Sequence, residues 1–63
     1  MNDKQVSRLL DGDAWIEYLG NLYEYIGRSH GENIFSDIND GYTIRISDNA
    51  LKYSTEFYFT EKY

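Results

Sequence analysis

Two glutamates, Glu17 and Glu24, are the side chains whose type and spacing best suit chemistry with another molecule. They flank Gly20–Asn21, a two-residue step typical of a hairpin turn, and a turn at that step places the two carboxylates directly opposite each other. Like charges in that position cost about 0.2–1 kcal/mol. The pair either receives a basic group from a partner, belongs to a solvated face, or is neutralised from within by Arg28 or Arg45.

Catalysis by this glutamate pair is not expected. Retaining glycosidases hold two carboxylates in a cleft, and a chain of 63 residues has little room to build one. His30 is the only histidine and there is no cysteine, so no second His or Cys is present to complete a zinc set. The sequence therefore predicts a non-catalytic protein with no cofactor and no metal.

Three tyrosines, Tyr18, Tyr23 and Tyr25, fall on one face of the same hairpin. On a basic domain such a face would stack nucleic-acid bases, but this chain has a formal net charge of −5. We therefore expect these tyrosines to be shared between the core and a protein interface, where tyrosine is enriched. A small ligand or a nucleic acid on the same face is the alternative. The other face of the hairpin surrounds the two glutamates with apolar side chains: Trp15, Leu19, Leu22 and Ile26.

A second polar group comprises Asp37, Asn39, Asp40 and Gly41. The spacing departs from the calcium loop of EF-hands, because Gly41 comes one position too early. We interpret these residues as turn chemistry. The carboxylates of Asp37 and Asp40 are expected to join the two glutamates and three tyrosines in contacting a partner.

The elements that position these side chains follow from hydrophobic periodicity. Val6, Leu9 and Leu10 recur at helical spacing, which predicts a short helix over residues 3–10 that Asp3 caps. From Ala14 onward the period changes to two, which predicts a hairpin with strands 15–19 and 22–26. A single helical turn is predicted between residues 47 and 51, and a last strand between residues 53 and 60, with Phe57 and Phe59 inward and Glu56, Tyr58 and Thr60 outward.

A second hairpin is predicted over residues 33–46. The three-residue link 39–41, with glycine last, fits a type I turn followed by a glycine bulge. This register assigns six side chains to the core: Ile34, Ser36, Ile38, Tyr42, Ile44 and Ile46. It assigns four to the opposite face: Phe35, Asp37, Thr43 and Arg45.

Together these elements predict a mainly β fold, at the border with α+β, in one domain over residues 1–63. We expect a short N-terminal helix and a four- to five-stranded antiparallel sheet, either curled or closed into a small SH3-like barrel. A flat sheet with the helix packed on one face is the alternative.

The remaining bulk properties bear on location and partners. The N-terminus lacks the basic start and apolar stretch of a signal peptide, and no apolar run could span a membrane. A cytoplasmic protein is therefore expected. Eleven carboxylates against six lysines and arginines disfavour direct binding to nucleic acid or to an anionic membrane, and they favour a protein partner with a basic surface.

In general character the chain resembles the small acidic proteins with which phages and mobile elements disable host machinery, including anti-CRISPR and anti-restriction inhibitors. The resemblance rests on small size, the lack of cysteine and proline, many tyrosines, and carboxylates such as Glu17, Glu24, Asp37, Asp40 and Glu56. It implies an inhibitor that covers a basic, nucleic-acid-binding surface of its target. A structural subunit of an assembly and a homodimer are the remaining alternatives.

Overall fold

The order of elements is one helix, four strands, a second helix and a fifth strand. A computed structural model describes residues 1–62, with these bounds: α1 Asp3–Leu10, β1 Ala14–Tyr18, β2 Asn21–Ser29, β3 Glu32–Asp37, β4 Thr43–Ile46, α2 Asp48–Tyr53 and β5 Tyr58–Glu61. The strands form one antiparallel sheet in the order β4-β3-β2-β1-β5. Strands β4 and β5 are therefore its two edges.

The predicted N-terminal helix and five-stranded antiparallel sheet are confirmed. Strands hold 45% of the residues and helices 23%, which makes the fold mainly β. The sheet is not closed into the small barrel that was one of its two predicted forms, because the edge strands β4 and β5 lie at opposite ends of the sheet and do not pair. The last strand is shorter than predicted, since Tyr53 belongs to α2, while Phe57 and Phe59 pack inward as expected.

Helix α1 forms where the sequence predicts it, but its cap is one residue earlier. The side chain of Asn2, not that of Asp3, accepts the amide of Gln5, and the Gln5 side chain accepts the amide of Asn2. This reciprocal capping box satisfies two helix-terminal donors. Gly12, at φ 82°, ends the segment in a left-handed conformation that glycine adopts without strain.

The core lies between the two helices and one face of the sheet. Leu9 of α1 and Leu51 of α2 are both fully buried in it, and the two helices pack beside each other on the same side of the sheet. Their buried partners come from β1, β2, β3 and β4: Ala14, Ile16, Tyr23, Phe35 and Ile46. We call this side of the sheet the covered face.

The first hairpin turns one residue earlier than predicted. Leu19 and Gly20 occupy the turn with φ angles of 51° and 82°, so Tyr18 pairs with Asn21 and Glu17 pairs with Leu22. The predicted pairing of Glu17 with Glu24 is therefore wrong. A left-handed leucine costs about 1–2 kcal/mol, and the register it permits aligns Tyr23, Ile16 and Phe59 side by side on the covered face.

The second hairpin has a four-residue loop, 38–41, rather than a three-residue link. Ser36 pairs with Thr43 and Phe35 with Ile44. This slip of one residue turns every side chain of β3 to the other face. Phe35 and Asp37 are consequently buried, whereas the predicted core residues on β3, Ile34 and Ser36, lie on the opposite face.

The other predicted core residues of this hairpin divide by position. Ile44 and Ile46 on β4 do pack in the core, with Ile46 buried. Ile38 and Tyr42 belong to the loop and are exposed. The β4 half of the prediction is therefore right, and the loop and β3 are wrong.

Helix α2 is fastened to the sheet by a polar cluster. Ser47 caps it by accepting the Ala50 amide. The Arg28 guanidinium donates two hydrogen bonds to the Asp48 carboxylate, at 2.8 and 3.0 Å. The buried Asn33 side chain donates to Asp48 and to the carbonyl of Ile46, and it accepts from Arg28. These bonds satisfy a polar side chain that burial would otherwise penalise.

Candidate functional site

The side of the sheet opposite the helices is the candidate functional site, and we call it the bare face. Strand residues that alternate with the core residues point to it. It comprises Trp15, Glu17, Leu22, Glu24, Ile34, Ser36, Thr43, Arg45, Tyr58 and Thr60. Within residues 1–62 no helix or strand packs on it, because both helices lie on the covered face.

Glu17 lies at the centre of a cross-strand row on this face. Its neighbours across the strands are Leu22 on β2 and Tyr58 on β5. The Glu17 side chain is half-buried between them, whereas Tyr58 is 60% exposed. A carboxylate partly shielded from water by apolar neighbours attracts an incoming cation more strongly than a fully hydrated one.

Glu24 lies on the same face in a more open setting. It pairs across the strands with Ser36 and is exposed. In the part of the chain that the structure describes, the ion pairs are Arg8–Glu61, Arg28–Asp48 and Lys52–Asp3. Neither glutamate belongs to one. The predicted neutralisation by Arg28 or Arg45 is absent: Arg28 binds Asp48 instead, and Arg45 lies two strands away from Glu24 without an ion pair to it.

Trp15 is the largest side chain of the bare face, and it already has a cationic neighbour. It is half-buried and pairs with Thr60. The Lys62 ammonium lies 5.8 Å from the centroid of the indole ring and donates to the Gly12 carbonyl at 2.7 Å. This distance is within the range of cation–π attraction. A cation therefore occupies the space beside Trp15 in the free protein.

The three tyrosines of the first hairpin lie on the covered face. Tyr23 is buried, at 7% exposure. The ring of Tyr18 lies 4.8 Å from that of Phe57, and the ring of Tyr25 meets Phe35 edge-on at 5.5 Å. The predicted grouping of Tyr18, Tyr23 and Tyr25 on one face is confirmed, and the structure directs that face at the core rather than at solvent.

The two loop aspartates also support local structure. Asp37 is 6% exposed, and its carboxylate accepts the amides of Asn39 at 2.7 Å and Asp40 at 3.3 Å. Asp40 is exposed, and its carboxylate accepts the Tyr42 amide at 2.9 Å. The interpretation as turn chemistry is confirmed. Of the seven predicted contact residues, the structure brings only Glu17 and Glu24 together on the bare face.

Sequence reasoning placed Trp15 and Leu22 beside the glutamates but missed Tyr58 as their neighbour. The alternation of side chains along β1 and β2 predicts the positions of Trp15 and Leu22. The position of Tyr58 depends on the pairing of β5 with β1, whose residues are far apart in the sequence. No turn chemistry links those strands, so no local pattern indicates which residue of β5 meets Glu17.

Comparison with protein-family models, with curated proteins and with solved structures finds no match to this chain. Residues 1–62 form no cavity and no group of three metal-ligating side chains. None of the described helices has the length and apolarity needed to cross a membrane. Function is therefore inferred from the residues of the bare face.

Proposed function

We propose that this chain is a non-catalytic binding domain whose bare face docks on the basic surface of another protein. One observation carries the proposal: Glu17 and Glu24 stand on an uncovered sheet face, among Trp15, Leu22 and Tyr58, without an ion pair inside the described chain. Apolar area that a folded domain leaves uncovered is typical of an interaction surface.

Two kinds of side chain on this face contribute to binding in different ways. Aromatic and aliphatic groups such as Tyr58 and Leu22 lose water on docking and supply affinity. The carboxylates speed encounter with a positively charged partner and fix its orientation. Self-association is disfavoured because each copy carries a formal net charge of −5, and the same charge repels nucleic acid.

A basic protein surface is a frequent means of holding nucleic acid. Docking on such a surface would exclude the nucleic acid from it, which is the inhibitor role that the resemblance to small acidic phage and mobile-element proteins implies. The proposal places this action in the cytoplasm of a host cell. The alternative site, a tyrosine platform, is not favoured because Tyr18 and Tyr25 are packed on core rings.

The proposal is tested by titrating the isotopically labelled protein with a synthetic peptide of alternating arginine and lysine, followed by NMR. We expect chemical-shift changes centred on the amides of Trp15, Glu17, Leu22 and Tyr58. Glu17→Gln should weaken binding more than Asp11→Asn, which removes an equal charge at the end of α1, away from this face. Shifts centred on the helices, or equal weakening by both substitutions, would contradict the proposal.

A further inference from the structure

We infer that the bare face selects arginine over lysine in its partner, with Glu17 and Tyr58 as the two halves of the receptor. This inference rests on the proposed function and specifies the partner chemistry. It follows from the direct cross-strand pairing of Glu17 with Tyr58. A carboxylate and an exposed aromatic ring then stand side by side on one surface.

The two cations differ in how they use such a pair. A guanidinium is planar, donates two parallel hydrogen bonds to a carboxylate and stacks on an aromatic ring at the same time. An ammonium is a compact, strongly hydrated point charge that can be attracted to the ring but cannot stack flat on it. Leu22, on the other side of Glu17, provides apolar surface for the aliphatic stem of the incoming residue.

The neighbouring groups show why this pair, rather than another, is the receptor. Trp15 already has the Lys62 ammonium 5.8 Å from its ring, and Lys62 is held there by the Gly12 carbonyl. Tyr58 is 60% exposed, and among the described residues no aromatic or cationic group packs on its ring. Glu24 has Ser36 across the strand on its β3 side. On its β1 side the register continues to Trp15, whose ring already has the Lys62 ammonium beside it, so Glu24 lacks a free aromatic ring with which to select arginine.

The test compares two synthetic peptides of equal length, poly-arginine and poly-lysine, by isothermal titration calorimetry. Flat stacking on Tyr58, which only the guanidinium can make, should make the arginine peptide bind about two- to five-fold more tightly than its lysine counterpart. Glu17→Gln should lower affinity for poly-arginine by about two- to five-fold. Glu24→Gln, which removes the same charge from the same face, should lower affinity for both peptides equally.

Three tyrosine variants separate the ring from other effects. Tyr58→Val should abolish the preference for arginine, and Tyr58→Phe, which retains the ring, should preserve it. Tyr42→Val is the matched control, because Tyr42 is 77% exposed but lies in the loop before β4. A melting curve for each variant verifies folding.

The possible results distinguish a failure of this inference from a failure of the proposed function on which it rests. Equal affinity for the two peptides, with binding still mapped to the bare face, would overturn arginine selection and leave the proposed function standing. A preference for arginine that survives Tyr58→Val would also overturn it. If neither peptide binds at the bare face, both the inference and the proposed function are wrong.

Discussion

The covered face and the bare face are built from alternate residues of the same strands, yet they differ in how their polar groups are treated. On the covered face the buried side chains of Asn33 and Asp37 have hydrogen-bond partners within the chain. On the bare face Glu17 and Glu24 have no ionic partner among the described residues. The described chain therefore gives hydrogen-bond partners to the polar side chains that it buries and leaves the two glutamates of the bare face without an ionic partner.

The reason for this difference is partly one of size. A sheet buries an apolar face by packing another layer on it, and a chain of this length has two short helices to provide that layer. Both lie on the same side. The second face stays at the surface with Trp15, Leu22, Ile34 and Tyr58 on it, which costs solubility unless charges are interspersed or a partner covers it.

The largest expected effect tests the covered face directly. Phe35→Ala should lower the free energy of unfolding by about 3–5 kcal/mol, because it removes a fully buried ring and leaves a cavity. Chemical denaturation measures this loss. The neighbouring substitution Ile34→Ala, on the bare face, should cost clearly less, since its side chain is only half-buried.

Equal costs for Phe35→Ala and Ile34→Ala would break the comparison. They would mean that the bare face is covered in solution, for example by a second copy of the chain. Sedimentation at two protein concentrations would then show association. A monomer with unequal costs sharpens the contrast between the faces.

The importance of Phe35 could not be predicted from the sequence, and the reason is a single residue of register. The sequence predicts correctly that the side chains of β3, and those of β4, alternate between the two faces of the sheet. Their relative phase depends on the loop, and Asp37 sets it by accepting the amides of Asn39 and Asp40 in a four-residue turn. Because Thr43 pairs with Ser36 rather than with Asp37, β3 presents its other side to the core.

In the first hairpin, by contrast, a similar error in the position of the turn did not change which face each side chain occupies. Moving its turn by one residue shifts each cross-strand partner by two positions, so that Tyr23 pairs with Ile16 instead of Tyr18. A shift of two preserves the facing of every side chain. The sequence therefore predicted correctly which residues of β1 and β2 lie on each face, although it paired Glu17 with Glu24 wrongly.

An intermediate effect concerns the attachment of α2 to the covered face. The Arg28 guanidinium, and next the Asn33 side chain, lower the pKa of Asp48 from its ordinary value of 3.8 to about 2. The folded state therefore binds the proton less readily than the unfolded chain. The resulting stabilisation is fully present above about pH 3.8 and is lost as the pH falls through about 2.

Asp48→Asn should therefore reduce the decline of unfolding free energy over this acidic range, and it should lower stability at neutral pH by less than Phe35→Ala does. Thermal melts from neutral to acidic pH measure both effects. Some decline should persist, because Arg8 also lowers the pKa of Glu61 and contributes with the same sign. An unchanged pH profile in the variant would show that this ion pair does not hold α2 to the sheet.

The smallest expected effect on stability belongs to the bare face. Replacing Glu17 and Glu24 together by Gln changes the formal net charge from −5 to −3, since two of eleven carboxylates are removed. Because neither glutamate has an ion pair within residues 1–62, the free energy of unfolding should stay within about 0.5 kcal/mol of the original.

Association of the same variant with the arginine–lysine peptide should become slower and less dependent on salt. The matched control, Asp3→Asn with Asp11→Asn, removes the same charge at the two ends of α1, on the other side of the sheet, and should slow association less. If the Glu17 and Glu24 variant instead lost stability and kept its association rate, the two carboxylates would stabilise the fold, and the proposal that the bare face is the docking surface would be wrong.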